Sequence, residues 1–250
     1  MNYNVRAVIV RKTEWKESSF IIQSFSREYG YLSFIAHGLK KNNSPDRDNL
    51  QLYNEVELNL RKGPNADLFI LQNSLLHNRF ASQNKYQALV ILSSVFELLQ
   101  HIMINPEDIQ KVYDYVIRFL SFFKEIDSNY LVYYARFSFI LLSIINPHIM
   151  HVRCDVCHQF DQKIAGIDDE ERFICDLCLR QLNNPKPIEL LDSNLKFVLY
   201  YQESFWKMTD ILQESTDFAI QFRKILNHQF YTHFHQKLHL KSLDLYLDTL

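Results

Sequence analysis

The chain has 250 residues, is 47% hydrophobic and carries a formal charge of −2 at pH 7. A chain of this length and hydrophobicity can bury a substantial core, so we expect one to three folded domains. The 4 glycines and the lack of a GxGxxG or P-loop pattern argue against glycine-loop phosphate chemistry. No apolar run approaches the ~20 residues that cross a bilayer, and the first residues lack a signal-peptide core. We therefore expect a soluble, cytoplasmic protein with no membrane association.

Charge is distributed unevenly along the chain. Residues 1–80 contain eleven Lys and Arg against eight Asp and Glu, a net charge of +3, which leaves −5 for the remainder. This basic first third favours the N-terminal part as the binding surface for a polyanion such as a nucleic acid. A solvated surface of mixed charge explains the same counts equally well.

Short segments separated by turns occupy the first eighty residues. Their apolar patterns predict strands over residues 4–12, 18–26, 31–37, 56–60 and 69–76. Gly30 ends the turn before the third strand, where we expect a positive φ. Five strands with a long basic link after the third predict a small Greek-key β-barrel of the OB-fold type over residues 1–80.

After residue 80 the apolar residues recur every three or four positions, which predicts amphipathic helices. A first helix runs from Leu89 to Met103, and Asn105–Asp108 has the residue types that begin a second. Ser128 is expected to cap a third helix that Pro147 ends. Two later helices are marked by Asp192 and by the apolar residues Phe218, Phe222, Ile225 and Leu226.

All four cysteines of the chain lie in one short stretch. Two Cys-x-x-Cys pairs are separated by seventeen residues, a spacing typical of a structural zinc site in which each pair supplies two thiolates. Disulfides and free buried thiols are the alternatives, and disulfides need an oxidising compartment. We predict one structural Zn²⁺ in an insertion at about residues 151–182 of an α-helical domain that spans residues 81–250. Its ligands are Cys154, Cys157, Cys175 and Cys178.

Four thiolates complete the coordination of zinc and leave no position for a catalytic water. His148, His151 and His158 lie near the cysteines, and we expect them to be loop residues rather than ligands. Residues 159–172 have little apolar content, so we expect the metal to replace a core there. No Ser-His-Asp, nucleotide-loop or paired-acid pattern is present in the sequence, and we therefore expect no enzymatic activity.

Several short segments are informative when the chain is taken in order: Arg6–Lys12, Glu17–Ser19, Phe25–Gly30, Ala36–Lys41, Leu50–Tyr53 and Leu240–Leu243. Together with a four-cysteine pattern after three helices, these segments resemble the RecO family of bacterial recombination-repair proteins. The resemblance runs the length of the chain and is strongest in the first eighty residues and at the cysteines.

The resemblance implies an N-terminal OB-fold, a helical C-terminal domain and a zinc site. It also implies binding of single- and double-stranded DNA and annealing of complementary strands. Together with RecR, such a protein helps to load recombinase onto DNA coated by single-stranded DNA-binding protein. A protein of this family is not an enzyme and lies in the bacterial cytoplasm, associated with the nucleoid.

DNA binding would bring phosphates to basic residues of the barrel and bases to its aromatic rings. Acids flank Arg47 on both sides, and Leu52 stands where the family usually has Pro. We therefore expect weaker DNA binding than is usual for the family. Tyr29, Tyr31 and Tyr53 are candidate stacking surfaces, with packing in the barrel as the alternative. The candidate DNA-binding residues are Arg11, Lys12, Arg27, Lys40, Lys41, Arg47, Arg61 and Lys62.

The resemblance further implies that the helical domain binds the acidic, apolar C-terminal tail of single-stranded DNA-binding protein. Such a peptide needs a hydrophobic pocket rimmed by bases. Candidate rim residues are Arg118, Lys124, Arg136, Arg223 and Lys224. Two other functions stay open: a protein–protein interaction module with a structural zinc and incidental DNA binding, and a zinc-dependent hydrolase with an open coordination position.

Overall fold

Five strands form where the sequence pattern predicts them. They are β1 (Asn2–Trp15), β2 (Ser19–Ser26), β3 (Gly30–Ala36), β4 (Asn54–Lys62) and β5 (Phe69–Arg79). Gly30 has the expected positive φ of 67°, which lets the chain turn tightly from β2 into β3. The computed structural model describes residues 2–40, 44, 46–62, 68–81, 85–147, 152–160, 163–181, 188–200 and 213–249.

The five strands close into a barrel in the order β1-β2-β3-β5-β4. Every neighbouring pair is antiparallel except β3 and β5. Closure depends on β1, whose residues 2–8 pair with β4 and whose residues 7–15 pair with β2, with a register shift between Ile9 and Arg11. Inward-facing side chains fill the interior, which is lined by Val5, Ala7, Ile9, Ile22, Leu32, Phe34, Ala36, Leu39, Leu50, Val56, Leu58 and Leu60.

Two helices, α1 (Tyr86–His101) and α2 (Ile109–Phe123), belong to the same compact unit as the barrel, residues 1–126. Outward-facing aromatics of the barrel join them to it, since the ring of Phe25 stacks on Tyr113 of α2 with centroids 6.1 Å apart. The change from strands to helices thus lies near residue 80 as expected, whereas the compact unit extends through α2.

The helix limits differ in detail from the predictions. Met103 lies beyond α1 and is 83% exposed, because the backbone is already extended at Ile102. Residues 105–108 form a turn, closed by a 2.9 Å bond from the Asp108 N–H to the Asn105 carbonyl, so α2 begins only at Ile109. The apolar residues that recur at helical spacing in α2 are buried: Val112, Val116, Phe119, Leu120 and Phe123.

The second compact unit, residues 127–250, begins with α3 (Tyr130–Ile145), preceded by Asn129 rather than Ser128 as its N-cap residue. The cysteine region follows as β6 (Ile164–Asp168), β7 (Phe173–Cys175), α4 (Asp176–Gln181) and β8 (Ile188–Leu190). Its strands form a sheet in the order β7-β6-β8. All residues of β6 and β7 are buried, so this region contains more apolar packing than its sequence led us to expect.

Three helices complete the second unit: α5 (Ser193–Tyr200), α6 (Thr216–Phe234) and α7 (Lys241–Leu247). The Asp192 carboxylate accepts the N–H groups of Asn194 and Leu195 at 2.8 and 3.1 Å, which confirms the predicted helix start. Phe222 of α6 packs edge-to-face on Tyr134 and Phe139 of the buried α3. Within the described residues, no helix combines the length and the hydropathy needed to cross a bilayer.

Candidate nucleic-acid interface, metal centre and apolar pocket

Two basic side chains lie close to a half-buried aromatic ring at the start of β2. Phe20 packs against the barrel interior, and the Lys12 ammonium lies 4.6 Å from its ring centroid. The Lys40 ammonium lies 5.6 Å from the same centroid. We call Lys12, Phe20, Lys40 and Arg47 the Phe20 cluster. An aromatic face beside several cations can bind a phosphate backbone and offer a surface to a base.

Arg47 lies in the link between β3 and β4, which is held on β5 by its neighbours. Asp46 accepts bonds from the backbone N–H and the hydroxyl of Ser74, and the Asn49 side chain donates to the Ser74 carbonyl at 3.0 Å. Arg47 itself is exposed. Burial lowers the pKa of Lys12, and the nearby charge of Arg47 lowers it further. Asp46, which the sequence suggested would oppose Arg47, therefore serves mainly to position the link.

Acidic residues pair with two of the predicted DNA-binding residues. The Lys40 ammonium lies 2.8 Å from a Glu14 carboxylate oxygen, in a pair that is largely exposed. Arg27 donates from Nε and Nη2 to the two carboxylate oxygens of Asp114 on α2, at 3.0 and 3.2 Å. Hydrogen bonding to Asp114 raises the pKa of Arg27. Arg27 thus has a structural partner within its own unit.

The remaining predicted bases lie elsewhere on the barrel. Arg11 on β1 and Arg61 on β4 are exposed. The Lys62 ammonium lies 5.5 Å from the ring centroid of Phe69, which gives a second contact between a cation and an aromatic ring. Lys41 lies outside the described residues.

Of the three tyrosines suggested as stacking surfaces, Tyr53 is buried and Tyr31 is half-buried. Tyr31 donates its hydroxyl to the Phe96 carbonyl at 2.6 Å, and Tyr53 stacks on the Phe96 ring with centroids 5.8 Å apart. Both tyrosines contact α1, which favours packing over base stacking as their role. Tyr29 is 52% exposed and has its ring edge-to-face with Tyr3 at 6.3 Å. Sequence reasoning missed Phe20 and Phe69, whose only signal was their place at the first residues of strands.

The four cysteine sulfurs converge within 4.8 Å of one another. Two sulfurs bound to a tetrahedral zinc at about 2.3 Å are about 3.8 Å apart, and the Sγ atoms of Cys157 and Cys175 are 3.9 Å apart. Backbone N–H groups also point at sulfurs, from Cys175 to Cys154 at 3.4 Å and from Cys178 to Cys175 at 3.5 Å. The donor set and its spacing fit one zinc ion, with every tetrahedral position taken by a thiolate.

The environment of the thiols differs between the two cysteine pairs. Burial opposes ionisation of Cys154, but N–H groups directed at its sulfur outweigh burial and lower the pKa of Cys154 to about 7. Burial raises the pKa of Cys178 well above its ordinary value. A bound cation would favour the thiolate form of all four, which is how metal binding is coupled to folding at such sites.

Asp155, inside the first cysteine pair, joins that pair to β7. Its carboxylate accepts the Phe173 N–H at 2.6 Å, and its own N–H donates to the Phe173 carbonyl at 2.8 Å. At the turn between β6 and β7, Asp168 accepts the N–H groups of Glu170 and Arg172 and the Arg172 Nε. These bonds hold the β6–β7 hairpin in one shape.

A pocket of about 670 Å³ lies between this hairpin and the C-terminal helices of the second unit. Its apolar residues are Phe173 of β7, Ile220 and Tyr231 of α6, Leu238 and Leu247. Ile220 and Tyr231 are 46% and 59% exposed, so both present apolar surface to solvent on the same side of α6. The pocket is thus an open apolar surface on one side of α6.

Basic residues surround this pocket. Arg223, Lys224 and Lys237 line it together with His228 and His239, while Glu171 is the single acid among the described residues that line it. Arg223 also pairs with Asp244 at 3.0 Å and Lys224 with Glu189 at 3.5 Å. Lys237 is exposed and has no acidic partner among the described residues.

Of the five candidate rim residues, Arg223 and Lys224 line this pocket. Arg118 and Lys124 are in the first unit, at α2, and are not among the residues described as lining this pocket. Arg136 is buried in α3, where its Nη1 donates to the Val198 carbonyl at 2.9 Å. Lys237 was not among the candidates, since it lies in a short linker with no helical pattern.

Comparisons with known proteins agree with the resemblance. Residues 1–80 match the family model described as Recombination protein O N terminal. DNA repair protein RecO from two strains of Desulfitobacterium hafniense is 37% identical over 65 residues, 26% of this chain and 24% of each relative. DNA repair protein RecO of Halalkalibacterium halodurans is 22% identical over 246 residues, 97% of this chain and 93% of the relative. The chain therefore resembles RecO, and the match to the two Desulfitobacterium relatives spans about a quarter of their length.

Proposed function

We propose that this protein is a DNA-binding recombination-repair mediator built on an OB-fold barrel. In this role it binds single- and double-stranded DNA and anneals complementary strands. With RecR, it helps to load recombinase onto DNA coated by single-stranded DNA-binding protein. It acts without breaking covalent bonds, in the bacterial cytoplasm at the nucleoid, and holds one structural Zn²⁺ through Cys154, Cys157, Cys175 and Cys178. The resemblance to RecO supports this role as a whole.

The observation that carries the proposal is the Phe20 cluster. Lys12 and Lys40 lie over one aromatic ring, with Arg47 close enough to act on the charge of Lys12. Phosphates contribute affinity without base information, and an aromatic ring accepts any base, so this cluster suits binding without sequence preference. Lys41, adjacent to Lys40, extends the same basic segment in the sequence. Arg11, Arg61 and Lys62 provide further phosphate contacts from the barrel.

Strand annealing tests the proposal directly. Two complementary oligonucleotides, one labelled with a donor dye and the other with an acceptor, are each coated with single-stranded DNA-binding protein. Their pairing is followed by energy transfer with and without the full chain. We expect the protein to accelerate pairing, and the acceleration to fall steeply as salt rises because phosphate contacts release counterions. Annealing at the uncatalysed rate at every salt concentration would contradict the proposal.

We also propose that the pocket at α6 binds the acidic C-terminal tail of single-stranded DNA-binding protein. Phe173, Ile220 and Tyr231 offer an apolar surface to the end of such a tail, while Arg223 and Lys237 offer charge to its acids. Fluorescence anisotropy with a labelled tail peptide tests this, with Ile220→Asp as the variant and Asp217→Asn, an exposed change on the same helix, as its control. Failure of the parent to bind the peptide at tens of micromolar would contradict the assignment. Equal affinity of Ile220→Asp and the parent would contradict it as well.

A protein–protein interaction module with incidental DNA binding is the second candidate. Arg27 and Lys40 are paired with Asp114 and Glu14, which reduces the positive charge available to phosphates. DNA affinity that barely changes between 50 and 200 mM salt would favour this alternative, since a surface with six or more phosphate contacts loses about 10³-fold or more in affinity over that range.

A further inference from the structure

Phe173 belongs to two sites at once. Its side chain lines the pocket at α6, where its ring lies 4.4 Å from that of His228 between centroids. Its backbone N–H donates to the Asp155 carboxylate, and its carbonyl accepts the Asp155 N–H. Asp155 lies between two of the cysteines proposed as zinc ligands. Cys175, two residues after Phe173, is itself a proposed zinc ligand and donates its N–H to the Cys154 sulfur at 3.4 Å. Phe173 therefore connects the pocket to the metal centre.

The position of Phe173 depends on the first cysteine pair staying folded. Cys154 and Cys157 lie in a short turn without a helix or a strand of its own, closed by a bond from the His158 N–H to the Cys154 carbonyl at 2.8 Å. A bound ion cross-links the four sulfurs, which lie within 4.8 Å of one another, and so ties this turn to β7 and α4. Loss of the metal therefore loosens this turn, and with it the two bonds that hold Phe173.

We propose that metal binding and peptide binding in this unit are coupled, so that the pocket at α6 is complete only when zinc is bound. The ligand class is an acidic peptide with an apolar end, and in this respect the inference rests on the proposed function. Zinc here does more than stabilise the fold, because it sets the affinity for a partner. Coupling free energies are reciprocal, so bound peptide must in turn slow the loss of zinc.

Asp155 and Asp176 provide a matched pair of variants. Each follows the first cysteine of its Cys-x-x-Cys pair, yet the Asp155 carboxylate accepts the Phe173 N–H whereas Asp176 is exposed at the start of α4. Asp155→Ala removes the side-chain bond of this link, from the Phe173 N–H to the carboxylate, and leaves the backbone bond and all four thiolates in place. Asp176→Ala makes the same chemical change in the other pair and leaves the link intact.

The experiment uses the full chain and a fluorescein-labelled peptide of three aspartates followed by leucine and phenylalanine with a free carboxyl terminus. We expect the zinc-loaded parent and Asp176→Ala to bind it with equal affinity. Asp155→Ala should retain one zinc by elemental analysis and bind the peptide at least fivefold more weakly, the lower end of typical coupling. Saturating peptide should slow zinc transfer to a chromogenic chelator in the parent and not in Asp155→Ala.

Each outcome bears on a different part of the inference. No binding by the zinc-loaded parent would overturn the peptide as occupant of the pocket, and with it that part of the proposed function. Equal affinities for the parent and a zinc-loaded Asp155→Ala, with unchanged zinc transfer, would overturn the coupling alone. Circular dichroism establishes that the variants retain the helices of the parent, which separates a local effect from unfolding.

Discussion

The barrel and the cysteine region stabilise their surfaces in different ways. In the barrel, each strand pairs with two neighbours and twelve residues fill the interior, so no single charged residue of the Phe20 cluster is needed for the fold. In the cysteine region, strands of 5 and 3 residues depend on four sulfurs and on the bonds of Asp155 and Asp168. Charges on the barrel can therefore change independently of its stability, whereas binding and stability are linked in the cysteine region.

The largest effect is expected from replacement of Cys154, a buried cysteine that we propose as a metal ligand. Cys154→Ser should abolish stoichiometric zinc binding and strongly destabilise the second unit, because structural zinc sites contribute about 10 kcal/mol or more. Elemental analysis and thermal unfolding check this, with Asp176→Ala as the variant that should retain zinc. A Cys154→Ser protein that keeps one tightly bound zinc would contradict the assignment of ligands.

A smaller but still large effect is expected at Glu55, a buried acid of β4 whose carboxylate accepts several hydrogen bonds. Glu55 is 1% exposed, and its carboxylate accepts from the Arg6 Nε at 2.8 Å and from the Tyr113 hydroxyl at 3.1 Å. Glu55→Ala should lower the free energy of unfolding by about 3 kcal/mol, because it leaves three donors, on Arg6, Asn78 and Tyr113, without their acceptor. Urea unfolding measures the change.

Glu57 provides the control for that prediction. It lies two residues after Glu55 on β4 and has an exposed side chain. Its carboxylate lies 3.3 Å from the His77 Nε2. Glu57→Ala should change the free energy of unfolding by about 0.5 kcal/mol or less. Equal destabilisation by the two variants would show that strand propensity, rather than the buried network, determines the cost.

Ionisation of buried tyrosines should limit stability at high pH. Burial raises the pKa of Tyr31, and burial followed by the charge of Glu55 raises the pKa of Tyr113. A tyrosine with a raised folded pKa contributes stability that is complete below its unfolded pKa of about 10 and is lost as pH rises further. Each such tyrosine should cost about 1.4 kcal/mol at pH 11.

Absorbance at 295 nm provides the measurement for this prediction. Some of the 14 tyrosines should ionise near pH 10, and the buried ones only when the chain unfolds. Tyr31→Phe should reduce the loss of stability between pH 9 and 11, and Tyr29→Phe, at an exposed position, should not. Ionisation of all tyrosines in one step near pH 10 without unfolding would contradict the account.

The sequence predicted what depends on local pattern. The alternation of apolar and polar residues predicted β1 to β5. The repeated Cys-x-x-Cys spacing predicted that four sulfurs lie together, as they do in the structure. It did not predict which tyrosines are buried, because that depends on α1 lying over Tyr31 and Tyr53. The contact of Asp155 with Phe173 joins residues 18 apart through tertiary folding, and no local pattern reports it.

The central claim is that the Phe20 cluster binds DNA phosphates, and a charge series measured against salt tests it most directly. The variants are Lys40→Glu, Glu14→Gln and, as a control on α2, Lys111→Glu. Affinity for single-stranded oligonucleotides of several sequences is measured by anisotropy from 50 to 200 mM salt. The fold should be unchanged in all three, since exposed charges shift stability by only about 0.5 kcal/mol.

We expect Lys40→Glu to weaken binding of every sequence alike and to reduce the log–log salt slope by about 0.7 for each phosphate that the variant no longer neutralises. Glu14→Gln should strengthen binding, because it releases Lys40 from its ion pair. Lys111→Glu should behave like the parent. If Lys40→Glu binds as tightly as the parent with the same salt slope, the Phe20 cluster is not the DNA-binding surface and the central claim is wrong.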